Sequence, residues 1–421
     1  MKRLFTKIIV AMLLAVICIT AAGCDLFSFS ENKGTGYIGN LPNSTEISST
    51  VEFPTSDPSR PLLSRVDAVA KVERAVVAIK ITSANGTGYG SGVIVDIDSA
   101  NRGQNEYYVL TCHHVISSKG DIEISVPDEK CRNVGDSDYD SRYTFTGVIN
   151  NQRPSSTDAI TLVGGDKDAD VAVLRLRVSN SLNIEQVKTP IESYSPKRGE
   201  DVFAIGNPSG LLPMSVCAGV ISYLDRPAVI NGVGQMTLMQ IDAPTNHGSS
   251  GGALFNHYGE LIGLTNAGND SYNSLNYAIP YYGESGFINI AKQLIATATA
   301  NNYGYITGRW SLGFSLDAEY EGEGVKVGNI EADGNAYKSG LRRGDIITAI
   351  TYPVGGKPVT YQVNEANFTT IYYEMKSLLV LGQYLTFTTS NRGDVRITLS
   401  NDKQEIFCDT GFYPQSEQQV A

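Results

Sequence analysis

Short β-branched runs broken by Gly and Asn turns constrain the fold of this chain more than any other feature. AVVAIKIT and GSGVIVDI read as strands joined by the Gly-rich turn NGTGYGSG, and YYVLTCHHVI continues the pattern. Many short strands of this kind predict an all-β barrel or sandwich. With 421 residues, two or three domains are expected, and the 42% apolar content is ample for buried cores.

The stretch DAPTNHGSSGGALFN, Asp242 to Asn256, stands out from this background. Its serine, Ser250, is flanked by glycines and followed by an apolar strand, which suits a hydroxyl held on a sharp turn where backbone approaches a substrate closely. In that arrangement the amides of Gly248 and Ser250 converge on one point and stabilise an oxyanion. Alone, the pentapeptide Gly248-Ser249-Ser250-Gly251-Gly252 reads equally well as an ordinary small-residue turn.

A serine hydroxyl needs a base, and the chain has four histidines, His113, His114, His247 and His257. One of them must serve if Ser250 is a nucleophile. A third stretch, DADVAVL from Asp168, places Asp170 at the start of an apolar strand. A carboxylate there can accept the second imidazole N–H and fix its tautomer. Asp170 also reads as a turn residue at a strand start, and Asp166 and Asp168 as solvated loop.

The ends of the chain differ in composition. MKRLFTKIIVAMLLAVICITAAGC has a basic start and an apolar run from Ile8 to about Ala22, shorter than the ~20 residues of a spanning helix. It reads as a secretory signal over residues 1–23. Ala21-Ala22-Gly23-Cys24 resembles a bacterial lipobox, which implies lipidation of Cys24 and attachment to the outer face of the cell membrane. Ala21 stands where that pattern usually has Leu, and cleavage without a lipid or an uncleaved anchor are the alternatives. Residues 24–63, rich in Ser, Thr, Gly, Asn and Pro, are expected to form a flexible tether. Ordered sequence is expected from Ser64, which caps a short helix through Val66, Val69 and Val72. The net charge is −11, and loss of Lys2, Arg3 and Lys7 with the signal takes it to −14, which disfavours nucleic-acid binding.

Together the stretches Thr111-Cys112-His113-His114-Val115, DVAVL and GSSGGAL, in the order His, Asp, Ser, resemble the trypsin-like serine proteases and above all the HtrA (Deg) family. AIGNPSGL from Ala204 and NYAIP from Asn276 match further. The resemblance covers roughly Asp67 to Leu399. It implies a mainly β fold, a trypsin-like double β-barrel over residues 64–303 and an α+β PDZ domain over 304–400, with a tail at 401–421. It selects His114 over His113 and gives the triad His114, Asp170 and Ser250, with an oxyanion hole at Gly248, Ser249 and Ser250. It implies a substrate strand at Leu264, Thr265 and Asn266, and a PDZ carboxylate loop at Leu312, Gly313 and Phe314. No metal and no cofactor are implied.

The implied activity is cleavage of unfolded or damaged proteins, with peptide C-termini as PDZ ligands, regulation by that domain, and a homotrimer as the common family assembly. Ser249, His247 and Ala253 depart from the family's usual Asn, Pro and Pro without removing a triad member. The segment between His114 and Asp170 is longer than usual and includes DEKCRNVGDSDYDSRY, read as an enlarged surface loop. ESGFINIAKQLIATATANN, with Phe287, Ile290, Ala291, Leu294 and Ile295 at helical spacing, is expected as an amphipathic helix closing the protease domain, and NFTTIYYEMKSLLVL as the helix lining the PDZ groove. Cys112 reads as a small packed side chain, with a bridge to Cys131 as the favoured pairing. The rival readings are a non-catalytic PDZ-bearing surface chaperone or receptor, and a dormant protease awaiting a ligand.

Overall fold

A computed structural model describes residues 51–84, 86–97, 105–128, 142–149, 159–178, 182, 184–208, 214–230, 234–268, 275–283, 285–299, 303–317, 319–330 and 334–400. The signal, Cys24, Cys131, Cys408, the tail and most of DEKCRNVGDSDYDSRY lie outside them.

The first seven strands are β1 (Val76–Ser83), β2 (Gly86–Val95), β3 (Glu106–Cys112), β4 (Gly120–Pro127), β5 (Arg142–Ile149), β6 (Ile160–Asp166) and β7 (Val171–Arg177). They form one antiparallel sheet in the order β5-β4-β1-β2-β3-β7-β6. The sheet curls until its two edges meet, where Gly147 on β5 lies against Ile160 on β6. Its central strands are buried on both faces, which is why they read as continuous apolar runs rather than as alternation. Ala172 and Leu174 of β7 fill the inside of the curl with Ile79, Val109 and Ile124. Val171 and Val173 point the other way, into a second core shared with Phe203 and Phe255.

Strands β8 (Asp201–Gly206), β9 (Ser215–Ile230), β10 (Gly234–Ile241), β11 (Ala253–Asn256), β12 (Leu261–Gly268) and β13 (Asn276–Pro280) close into a six-stranded barrel, in the order β10-β13-β12-β11-β8-β9. Val202, Ala204, Leu254 and Ile262 fill its interior. The resulting pair of barrel-type sheets is trypsin-like and mainly β, as expected.

Two sequence expectations change here. Most of the Gly-rich stretch read as a turn is strand β2, and the hairpin closes at Ser83 opposite Gly86. Glycine removes side chains from a face that lies close to Val115 and Val109, so a strand can run where propensity reads a turn. The expected tether also ends early. Val51 and Phe53 are buried in the shared core, Ser56 N–H bonds the Thr189 carbonyl at 3.1 Å, and Arg60 pairs with Glu260. Two apolar residues in a polar segment suffice to anchor it.

Helix α1 (Arg65–Val72) starts at Ser64 as expected, its hydroxyl accepting from the Asp67 amide at 3.2 Å. Its buried face is Ala68 and Val72, whereas Val66 is exposed. Helix α2 (Phe287–Thr297) follows the second barrel and buries Phe287, Ile290, Ala291 and Leu294, the expected stripe. Among the described residues no helix is long and apolar enough to cross a membrane.

The C-terminal sheet contains β14 (Phe314–Leu316), β15 (Val325–Ile330), β16 (Ile346–Val354), β17 (Lys357–Gln362), β18 (Tyr384–Thr389) and β19 (Gly393–Thr398). They run β14-β15-β16-β18-β19, with β17 also on β16. A short helix α3 (Asn335–Lys338) and α4 (Glu365–Leu378) flank it, α4 beginning at a capping box between Asn364 and Asn367. The sheet has its own core around Trp310, Tyr352, Met375 and Phe387.

Candidate active site

The β3–β7 ladder sets the first half of the site. Cys112 pairs with Val171, so the residues beyond them, His113-His114 and Asp170, leave the ladder together. Asp170 adopts a left-handed backbone (φ 52°), which costs a non-glycine residue roughly 1 kcal/mol and turns its carboxylate back toward the ladder end. Its carbonyl accepts from His113 N–H at 3.0 Å. Fully buried, the carboxylate takes the His114 amide on Oδ1 (2.8 Å), and His114 Nδ1 lies 2.7 Å from Oδ2. The other histidines are placed elsewhere: His113 is buried against Gly165, His257 packs edge-on to Phe203, and His247 is exposed.

The turn carrying Ser250 depends on glycine. Gly248 and Gly251 have φ of 88° and 79°. A Cβ on Gly251 would strike the Ser91 carbonyl and the Thr111 hydroxyl of the N-terminal sheet, and one on Gly252 would lie 2.6 Å from the Ile205 carbonyl. Gly251 N–H bonds the Thr265 carbonyl (2.7 Å), Thr265 N–H bonds the Gly252 carbonyl (2.9 Å), and Ser91 N–H bonds the Ser250 carbonyl (2.8 Å). The turn is thereby clamped between both barrels.

Asn266 joins the two halves. The Ser250 hydroxyl donates to its backbone carbonyl at 3.0 Å, and its Nδ2 donates to Asp170 Oδ2 at 2.5 Å. Ser250 and the Asp170–His114 pair therefore meet on Asn266, the first on its backbone carbonyl and the second on its side chain. The sequence reading named Asn266 for its backbone and missed its side chain.

It also missed Ser91 and Asn207, both buried. Ser91 Oγ donates to the Gly248 carbonyl (2.8 Å) and accepts from the Asn207 amide (2.9 Å), while Asn207 Nδ2 donates to the Val77 carbonyl (2.9 Å). This fixes the Gly248–Ser249 peptide, which lies between the Gly248 and Ser250 amides. The AIGNPSGL match flagged Asn207 as a motif without a role, and Ser91 was hidden in a run that looked like a turn.

Three expected residues take other roles. Ser249 N–H is used by the Asn246 carbonyl (2.9 Å), so it does not point where Gly248 and Ser250 amides would converge. Leu264 and Thr265 lie inside the closed barrel: Leu264 pairs with Ala253 and Ile279, and Thr265 with Gly252 and Ala278, leaving no free edge at either. Asn266 is the first residue of β12 beyond the β11 pairing. Cys112 is an unbridged buried thiol, not the partner of Cys131. Burial, reinforced by Asp170, pushes its pKa well above the ordinary thiol range.

Beneath Asp170 the turn is held from the C-terminal sheet. Lys376 on α4 bonds Asp168 (2.9 Å) and the Trp310 carbonyl (2.6 Å), and Arg309 pairs with Asp166, which accepts the Ala169 amide at 2.8 Å. Burial would raise Asp168, but Lys376 and Arg309 overcome it and hold its carboxyl down at about 2. In the C-terminal sheet, Gly313 has φ 72° between buried Leu312 and half-buried Phe314, whose ring lies 6.3 Å from Phe368 on α4.

The chain is similar in sequence to known proteins. A family profile described as a trypsin-like peptidase domain matches residues 90–264. The chain is 30% identical over 271 residues to the serine endoprotease DegS of Haemophilus influenzae, covering 63% of this chain and 66% of that protein. It is 29% identical over 285 residues to the periplasmic serine endoprotease DegP of Escherichia coli, covering 64% and 49%. The match thus spans somewhat under two thirds of the one relative and about half of the other. The solved serine endoprotease from Yersinia pestis aligns at TM-score 0.44 and 24% identity over 81% of this chain and 99% of that one. Over part of its length the chain is thus similar to trypsin-like serine endoproteases of the HtrA/Deg group.

Proposed function

We propose that this chain is a serine endopeptidase of the HtrA type that cleaves unfolded or damaged polypeptides outside the cytoplasm, held at the cell membrane by a lipid on Cys24. The observation that carries the catalytic reading is the meeting of Ser250 with the Asp170–His114 pair on one residue, Asn266, through its backbone carbonyl and its side chain respectively. His114 Nε2 takes the Ser250 proton as the hydroxyl attacks the scissile carbonyl and returns it to the leaving amine. Asp170 holds Nδ1–H and stabilises the imidazolium. The Gly248 and Ser250 amides receive the oxyanion, and Ser91 with Asn207 keeps the Gly248 peptide from turning. An extended substrate adds to β12 from Asn266 onward, a mode that reads backbone more than side chain.

Residues 304–400 act as a PDZ domain whose loop at Leu312, Gly313 and Phe314 receives a peptide carboxylate. The positive φ of Gly313 and the approach of Phe314 to α4 support this reading. Because Lys376 on α4 grips Asp168, two residues before Asp170, a peptide seated along α4 bears on the turn that presents Asp170. A second reading, a protease dormant until that groove is filled, is favoured by the Ser250 hydroxyl resting on the Asn266 carbonyl. Assembly as a homotrimer is the family expectation.

Incubation with an unfolded polypeptide tests the proposal. The wild-type chain is expected to produce fragments, faster with an added apolar C-terminal peptide, and Ser250→Ala none. Intact substrate with both proteins, with and without the peptide, would leave only a binding lipoprotein.

A further inference from the structure

Beneath the imidazole the site holds a combination that peptide hydrolysis does not require. Cys112 Sγ, a nitrogen of His114 and a carboxylate oxygen of Asp170 all lie within 4.8 Å of one another. Cys112 closes β3, and its thiol is turned inward beside Asp170, with Asn266 Nδ2 3.7 Å from the sulfur. Asn266 is itself 3% exposed, and its Oδ1 has no hydrogen-bond partner. A half-turn of that amide exchanges Nδ2 for Oδ1 and offers a further oxygen to the same point.

We propose that Cys112 Sγ, His114 Nδ1 and Asp170 Oδ2 form an inhibitory site for a thiophilic divalent cation such as Zn²⁺ or Cd²⁺, with Asn266 Oδ1 as the fourth ligand. The inference rests on the reading of His114 and Asp170 as catalytic. Thiolate, imidazole and carboxylate are the donors such ions select. A tetrahedral zinc with sulfur at about 2.3 Å and nitrogen or oxygen at about 2.0 Å needs its ligands some 3.3–3.8 Å apart. The three atoms reach that spacing by the His114–Asp170 contact opening from 2.7 Å and the sulfur closing in from within 4.8 Å.

Charge favours the ion. The cluster offers a buried thiol, a buried carboxylate and a partly exposed imidazole to one point. Binding releases the thiol proton to solvent, and the resulting thiolate and the carboxylate together neutralise the dication, so the occupied site is neutral. The His114 proton moves from Nδ1 to Nε2. Nε2 then carries a hydrogen where it must accept one from Ser250, and hydrolysis stops. With Cys112 and Asp170 fully buried and the His114 side chain 25% exposed, the ion enters past the imidazole and inhibition is slow in onset.

Titration of the full chain with Cd²⁺ tests this through two readouts, the ultraviolet cadmium–thiolate band and the rate of peptide hydrolysis. The band is expected to saturate at one ion per chain while hydrolysis falls at least tenfold in step with it. In Cys112→Ala, and in Cys112→Ser should the alanine variant not fold, the band is expected to vanish and the remaining hydrolysis to be insensitive to Cd²⁺. Cys217→Ala is expected to behave as wild type. Equal inhibition of the Cys112 variants, or a band that survives in them, would overturn the proposal. If the wild type hydrolyses nothing, the peptidase reading fails, yet the dependence of the band on Cys112 and His114 still decides whether the metal site exists.

Discussion

The two halves of the site are built in opposite ways. His114 and Asp170 are brought together by a single antiparallel ladder, whose register delivers both to one end. Ser250 is placed by contacts from three directions: Ser91 and Thr111 of the N-terminal sheet, Thr265 of β12, and the Asn246 carbonyl within its own turn. The first half is local to one pair of strands and tolerates change around it. The second exists only when both barrels have docked, so nucleophile and oxyanion donors are the part most exposed to mutations far from the chemistry.

The largest expected effect is on the chemistry of the ladder half without loss of fold. Asp170→Asn should lower kcat by about 10⁴ by fixing the wrong imidazole tautomer, while thermal unfolding shifts by only a few degrees. Next comes a break in the turn half. Gly251→Ala meets backbone at a positive φ and should cost roughly 2–4 kcal/mol of stability, visible in denaturant titration, together with nearly all activity. If this variant were as stable and active as wild type, the clamp between barrels would be wrong.

Asn207→Ala sharpens the contrast, since it leaves Ser91, the Gly248 carbonyl and the backbone N–H to Ser91 in place but removes the Nδ2 bonds to the Val77 carbonyl and Ser91 Oγ. A loss of about 1.4–2.7 kcal/mol of transition-state stabilisation is expected, as a 10- to 100-fold fall in kcat with KM little changed. An effect on KM alone would move Asn207 out of the oxyanion support.

Acid probes the C-terminal sheet through Asp345. Burial would raise Asp345, but Arg392 and the Arg342 amide overcome it and hold its carboxyl below the ordinary range. A depressed carboxyl contributes stability that is complete above its unfolded pKa near 4 and is lost as pH falls through the lower folded value. Unfolding of the C-terminal sheet should therefore be flat in pH from about 5 to 8 and ease below about 4, and Asp345→Asn should weaken that acid dependence. The smallest effect is expected for Lys376→Ala: basal hydrolysis within a few-fold of wild type, with loss of any stimulation by an added apolar C-terminal peptide.

What could be read from the chain follows the same division. The ladder half was legible because a carboxylate directly before VAVLRL and a histidine directly after YYVLTC sit at strand ends, where one register explains both. Ser250 was legible through its glycines, which need positive φ or close approach. Its supports were not, because Ser91 and Asn207 act through long-range contacts that leave no local period, and GTGYGSG suggests a turn until Val115 and Val109 are seen against it. The substrate edge was misplaced toward Leu264 and Thr265 because an apolar run does not reveal that barrel closure uses both its sides. Val51 and Phe53 were passed over for the reverse reason, two core residues inside a stretch with the composition of a linker.

The central claim is that Ser250 is activated by His114 on a turn that only the docked barrels hold together. Mapping the adduct left by a fluorophosphonate on the full chain tests it most directly. Stoichiometric modification of Ser250 alone, lost in His114→Ala and in Gly251→Ala, is predicted; a wild-type chain that stays unmodified with the groove peptide present, or that is modified equally well without His114, would contradict it.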